Sequence, residues 1–330
     1  MRKHIAIILF VAAIDISLSS VSAQSFEEYL IFVREKAMKA GISESLINRE
    51  FYELKPDPRV LALDRKQPEF VQTTEDYLKA RLSDNRIRDG RKLRRLYNED
   101  LLAVERSYQV DANYIVAFWG LETNYGRYQG NYSVIRSLAT LGHDPRRHSF
   151  FTRELLSALK ILEQGHVESR SFVGAWAGAM GQSQFMPSSF FGYAQDFDGD
   201  GKKDIWNSEL DVFASIANYL NKNGWVYSEL WGKRVKVQKE IYDLFPPKAG
   251  ESGCRASNHH SAKLPLENWK NLGIDSGRLT KGKKYALLRL SDAPDQTYLV
   301  GSNFGTILQY NCANKYAVSV GLLADQLAEI

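Results

Sequence analysis

Apolar residues recur every three or four positions through the first two-thirds of the chain and then give way to shorter alternating runs. From Phe26 to about Tyr108 the pattern predicts helices. SFEEYLIFVREKAMKAG opens on a Ser cap with early acids and closes at Gly41, and SESLINREFYEL restarts at once. KPDPRV and RKQP read as breaks, because Pro cannot continue a helix and biases the residue before it towards extended angles. TTEDYLKARLSDNRIRDGRKLRRLYNEDLLAVERSYQV then reads as one long amphipathic helix.

From Asp111 to about Trp231 helices alternate with glycine-rich links. DANYIVAFWGLE takes Asp111 as its cap and makes an apolar stripe of Ile115, Val116, Phe118 and Trp119. RHSFFTRELLSALKILEQG repeats Phe151, Leu155, Leu159 and Leu162 before Gly165, and ELDVFASIANYLNKNGW stops at Gly224. Beyond Trp231, KRVKVQKEI, KKYALLRL and QTYLVGS have strand character, with LPLENWKNLG as a short helix between them and KYAVSVGLLADQLAEI as a closing apolar helix. The chain thus reads as a helical N-terminal part, a motif-rich middle and a strand-bearing end closed by a helix.

Composition changes this picture little: 330 residues, 44% hydrophobic and 25% charged, describe an ordinary globular chain. The net charge of +4 favours an anionic surface or polymer as partner without selecting one. The densest basic run, NRIRDGRKLRR, carries Asp89 and apolar residues at helical spacing and reads as a solvated helix face, so no nucleic-acid partner is expected. The opening MRKHIAIILFVAAIDISLSSVSAQS has the form of a signal peptide over residues 1–23, cleaved after Ala23. Its apolar run is too short for a comfortable membrane span, and no Cys stands at the cleavage point to carry a lipid anchor. Export would put Cys254 and Cys312, the only cysteines, in an oxidising compartment that favours a disulfide between them.

Three stretches carry candidate chemistry. In FWGLETNYG, Glu122 ends an apolar helix, where desolvation favours the protonated carboxyl that a general acid needs. The same position also suits a solvated helix-end residue or a partner for Arg127. GAWAGAMGQSQFMPSSF combines small residues with the neutral hydrogen-bonding groups of Gln182, Ser183, Gln184 and Ser188, which suits a sugar or a tight packing loop. DFDGDGKKDIWN follows the calcium-loop pattern: Asp196, Asp198 and Asp200 at positions one, three and five, the Lys202 carbonyl at seven and Asp204 at nine. Asn207 stands at position twelve, where Glu would give two oxygens, so binding should weaken unless Asp211 helps; the bland alternative is an Asp-rich turn. The histidines show no ligand spacing, and no nucleophile elbow, Walker loop or dinucleotide fingerprint is present, so no organic cofactor is expected.

GLETNYG, the PRR at 145–147, AGAMGQSQFMPSSF, DFDGDGKKDIW, ANYLNKNGW and NFGTILQYN, in this order, resemble the membrane-bound lytic murein transglycosylase B family. The resemblance implies an α+β fold: a helical N-terminal part (24–110), a lysozyme-like, mainly helical catalytic core with a structural Ca2+ loop (111–232), a small β-rich part (233–308) and a C-terminal helix returning to the core (309–330). It also implies a peptidoglycan glycan-strand substrate, other cell-wall enzymes as further partners, and a periplasmic location without a membrane span. It makes Glu122 the catalytic acid, cutting between N-acetylmuramic acid and N-acetylglucosamine without water to leave a 1,6-anhydro product. Gln184 and Phe185 would form the floor of the groove, and Tyr219, Tyr310, Asn311 and Tyr316 its opposite wall, with core packing the alternative for Tyr310 and Tyr316. Arg146 and Arg147 suit either the lactyl or peptide carboxylates or a surface role. Two residues depart from the family pattern. Ala175 stands where many members carry a Ser that hydrogen-bonds the acid, and Asn207 ends the calcium loop. A muramidase hydrolase and a non-catalytic wall-binding protein are the competing readings.

Overall fold

Four of the N-terminal helices begin where a Ser or Thr side chain accepts a backbone hydrogen bond that the first helical turn would otherwise leave unmet. Ser25 caps α1 (Phe26–Lys39) in a full capping box with Glu28, Ser43 caps α2 (Glu44–Phe51), Thr73 caps α4 (Thr74–Arg81) and Ser83 caps α5 (Asp84–Leu96). Between them, α3 (Pro58–Lys66) corrects the expectation of a plain break at KPDPRV, since Pro58 occupies a first-turn position that needs no amide donor. The expected long helix over 73–110 is three pieces, with α6 (Asn98–Tyr108) as the third. Ser83 diverts its hydroxyl to Arg86 N, and Tyr97 leaves helical geometry between the second piece and the third. The computed structural model describes residues 24–66, 72–248, 253–290 and 292–328; the leader expected over 1–23 lies outside them.

The centre of the molecule is α7 (Ala112–Thr123), whose residues are buried almost all round, as an apolar helix without a polar face must be. Around or beyond it come α8 (Val134–His143), α9 (His148–Glu163), α10 (Pro187–Tyr193) and α11 (Glu209–Lys222). The chain continues through α12 (Lys239–Leu244) and α13 (Leu266–Asn271) to α14 (Ser302–Tyr310) and α15 (Asn314–Ala328). Helix α7 packs most extensively on α15 and also contacts α5, α6 and α11. The residues that end α7 therefore meet groups brought from both halves of the chain.

Two short strands, β1 (Tyr132–Ser133) and β2 (Val173–Gly174), pair antiparallel beside α8. The second sheet comprises β3 (Gly232–Arg234), β4 (Leu264–Pro265), β5 (Lys284–Leu290) and β6 (Ala293–Val300), in the antiparallel order β3-β6-β5-β4. Only the start of KRVKVQKEI is strand, and its end is α12; helix also resumes at Ser302, before residue 309. Period-two alternation gives the large sheet two apolar faces. Tyr285, Leu287 and Leu299 join Leu266 and Trp269 in a small separate core, while Ala286, Leu288, Tyr298 and Val300 join the main one. Cys254 and Cys312 form a disulfide with Cα atoms 5.5 Å apart, tying this β-rich part to the link between α14 and α15.

Candidate active site

After Thr123 the backbone takes three consecutive left-handed residues, Asn124, Tyr125 and Gly126, with φ of 51°, 62° and 79°. Such angles cost a bulky residue like Tyr125 roughly 1–3 kcal/mol, so packing must hold the turn. It does so through two missing side chains. A Cβ on Gly120 would lie 2.6 Å from the Tyr125 ring, and one on Gly90 would lie 2.2 Å from its hydroxyl, so the ring passes where only glycines leave room. The Tyr125 hydroxyl then donates to Arg86 O at 2.8 Å. Thr123 anchors the other side, donating to Gln182 O at 3.0 Å and accepting from Gly126 N at 3.0 Å. Glu122 is thus presented at a helix end whose exit path is clamped from two directions.

The clamp includes a residue that the sequence offered only as a neutral hydrogen-bonding group. Gln182 is 4% exposed; its Oε1 accepts from Trp119 Nε1 at 2.6 Å, and its Nε2 donates to Trp206 O at 3.0 Å. It ties α7 to the 174–190 loop and to the acidic loop beyond. Its neighbours Met180 and Phe185 exchange backbone hydrogen bonds of 2.9 and 3.1 Å, which makes GQSQ a tight turn with Gln184 at φ 52°.

Glu122 is half-buried, and the Tyr316 hydroxyl from α15 donates to its Oε1. Tyr316 is only 6% exposed. Burial, with the Glu122 carboxylate second, pushes the hydroxyls of Tyr316 and Tyr310 well above the ordinary tyrosine range, so both remain proton donors at any working pH. This gives Tyr316 a different part from a sugar-facing wall: it holds the acid. The alternative partner for Glu122, Arg127, is turned to Asp89 at 2.8 Å.

The other expected groove residues separate into surface and support. Tyr193, Tyr219 and Tyr310 form a contiguous aromatic group, with centroids 4.4 Å apart for the first pair and 4.7 Å for the second. Tyr219 donates to Gln309 O at 2.7 Å and Tyr310 to Ser183 O at 2.6 Å, which fixes both rings against backbone. Phe185 is buried, with its ring 5.8 Å from both Tyr219 and Tyr310, so it backs the wall rather than forming an exposed floor. Gln184 donates to Gln129 O at 3.1 Å and to Gly181 O at 2.9 Å, and Asn311 is exposed at the end of α14. Tyr193 was missed because it lies between the two motifs at 174–190 and 196–207, and its neighbour Tyr219 comes from a different helix. Ala175 brings no hydroxyl to this region.

Arg146 and Arg147 have internal partners. Both pair with the buried carboxylate of Asp64; Arg146 also reaches Asp144 at 2.9 Å, and Arg147 lies over Phe151 at 4.6 Å. These pairs fasten α3 to the α8–α9 corner, while the two arginine side chains, 52% and 44% exposed, keep a solvent-facing side.

The acidic loop gathers Asp196, Asp198 and Asp211, each offering a carboxylate oxygen within 4.8 Å of the others. All are hard oxygen donors, which fits a cation such as Ca2+. Asp200 does not join that carboxylate cluster and accepts from Lys202 N at 2.8 Å, while the Asn207 amide donates to Asp204 at 3.1 Å. The physical reason is that Asp211, buried in the first turn of α11, bonds Phe197 N at 2.7 Å and Asp204 N at 2.8 Å and so pulls the loop around itself.

Comparison with known proteins accords with this geometry. The model of the transglycosylase SLT domain family matches residues 25–325. Membrane-bound lytic murein transglycosylase B of Escherichia coli K12 is 31% identical over 255 residues, an alignment covering 76% of this chain and 66% of that protein; the chain thus spans just under two-thirds of that relative's length. SltB3 from Pseudomonas aeruginosa, solved in complex with NAG-NAM-pentapeptide, superposes with a TM-score of 0.84 at 39% identity, covering 93% of this chain and 80% of that one. Slt35 of Escherichia coli, solved in complex with calcium, gives a TM-score of 0.75 at 28% identity over 91% of this chain and 92% of that one.

Proposed function

Because the chain belongs to the transglycosylase SLT domain family, we propose that it is a peptidoglycan lytic transglycosylase, cleaving the β-1,4 bond between N-acetylmuramic acid and N-acetylglucosamine. The observation that carries this reading is Glu122 at the clamped end of α7, holding a hydrogen bond from a buried tyrosine of α15 beside an aromatic wall. Glu122 gives its proton to the glycosidic oxygen, and the bond to the anomeric carbon breaks. The carboxylate then takes the proton of the muramyl 6-hydroxyl, whose oxygen closes on the same carbon to give the 1,6-anhydro ring. One carboxyl group serves both steps, so no second acid is needed at the roughly 5 Å spacing of a retaining hydrolase. Tyr316 steadies the charged form of Glu122 between the two proton transfers, and the Tyr193–Tyr219–Tyr310 group offers ring faces for sugars.

Asp196, Asp198 and Asp211 would hold Ca2+, which supplies a structural tie between the loop and α11 and takes no part in bond cleavage. We assign the work to the periplasm, after export by the leader; among the described residues no helix is long and apolar enough to cross a membrane. Glu122→Gln tests the assignment. Release of soluble fragments from purified sacculi should stop while the fold keeps its melting temperature, and surviving release would sink the role given to Glu122.

A further inference from the structure

A basic cavity of about 440 Å3 lies at the exit from the catalytic helix, lined among others by Ser83, Arg86, Arg88, Asp89, Asn124 and Arg127. Asn124 follows Glu122 by two residues, so their α-carbons are at most about 7 Å apart. Three guanidiniums line this cavity against the single carboxylate of Asp89. Asp89 holds Arg127 at 2.8 Å and Arg88 at 3.6 Å, which leaves both with donors to spare, their side chains being 55% and 70% exposed. Arg86 is spoken for by carbonyls, Ala80 O at 3.0 Å and Arg81 O at 2.7 Å, so its charge has no carboxylate among these partners.

A neutral glycan has no use for such a site. The negative charges of the substrate proposed above are the free carboxylates of the peptide stems, and a five-residue stem extends to about 17 Å, enough to reach this cavity from a sugar at Glu122. We propose that Arg88 and Arg127 form a subsite for a stem carboxylate, with Arg86 adding long-range attraction. The forked geometry of guanidinium suits a planar carboxylate, and the neutral donors of Ser83 and Asn124 complete the lining. This inference rests on the transglycosylase reading for its substrate.

The test is calorimetric binding in the Glu122→Gln background, which needs no turnover and so stands apart from whether the chemistry is right. The probes are an N-acetylglucosaminyl–N-acetylmuramyl pentapeptide and the same disaccharide without peptide. The stem should tighten binding by about tenfold or more, the value of a charged hydrogen-bonded contact. Arg88→Ala with Arg127→Ala should remove most of that gain and leave the bare disaccharide unaffected, with Arg127→Lys in between. Arg88→Ala alone, at the more exposed position, keeps the test valid if the double variant folds poorly. A stem that adds no affinity, variants that lose nothing, or equal losses for both probes would each overturn the subsite.

Discussion

Replacing Tyr316 by Phe removes one oxygen from a buried ring and with it the donor to Glu122. The ring itself should stay, because Phe118 lies 6.3 Å away and the position is in the α7–α15 contact. A hydrogen bond to a charged group contributes roughly 1.5–3 kcal/mol, which converts to a kcat lower by about 10- to 150-fold. Because the hydroxyl touches the acid and not the sugar, KM should hardly change. Steady-state release of anhydro-muropeptides from sacculi or short glycan strands, fitted over a range of substrate concentrations, separates the two parameters. Unchanged kcat would mean that Tyr316 only packs. A raised KM with normal kcat would restore it to the sugar-facing wall that the resemblance implied, and would refute the account of how Glu122 is held.

Three further outcomes follow from the same contacts. Chelation should lower the melting temperature by roughly 4 °C if Ca2+ is present at about a hundred times its Kd, and Asp211→Asn should melt low with or without chelator; identical melting curves would remove the cation. Gly120→Ala should destabilise the fold by about 1–3 kcal/mol in urea and lower kcat as well, because the new Cβ meets the Tyr125 ring that shapes the Glu122 turn; a silent substitution would show that the turn is not clamped there. Asp57, held down to about 2 by its hydrogen bond and ion pair with Arg59, contributes stability that is complete above about pH 4 and lost as pH falls towards 2. Asp57→Asn, which keeps a capping oxygen but loses the charge beside Arg59, should therefore cost about 0.5–1 kcal/mol at neutral pH and progressively less as pH falls through 2, and a pH-independent loss would contradict the pairing.

Periodicity made most helices legible, because an apolar stripe needs no knowledge of its partner: α1, α2, α7, α9, α11 and α15 lie where their patterns put them. It could not see Ser83 ending a run of good helix formers, since capping is one side chain's choice of hydrogen bond. Glu122 was legible from its motif and Tyr316 only as a nearby aromatic, because the contact between them joins residues 194 positions apart. The same holds for Asp64. Nothing local marks it as the buried carboxylate that ties Arg146 and Arg147 to α3. In the acidic loop the twelve-residue pattern put Asn207 at its last position and offered Asp211 only as a helper, while the fold brings Asp211 together with Asp196 and Asp198.

The central claim is that Glu122 drives an internal displacement with no water added. Digesting purified sacculi in heavy-oxygen water and weighing the released fragments tests it directly. The account predicts 1,6-anhydromuramyl ends free of heavy oxygen; reducing ends that carry it would show hydrolysis and contradict the one-carboxyl mechanism.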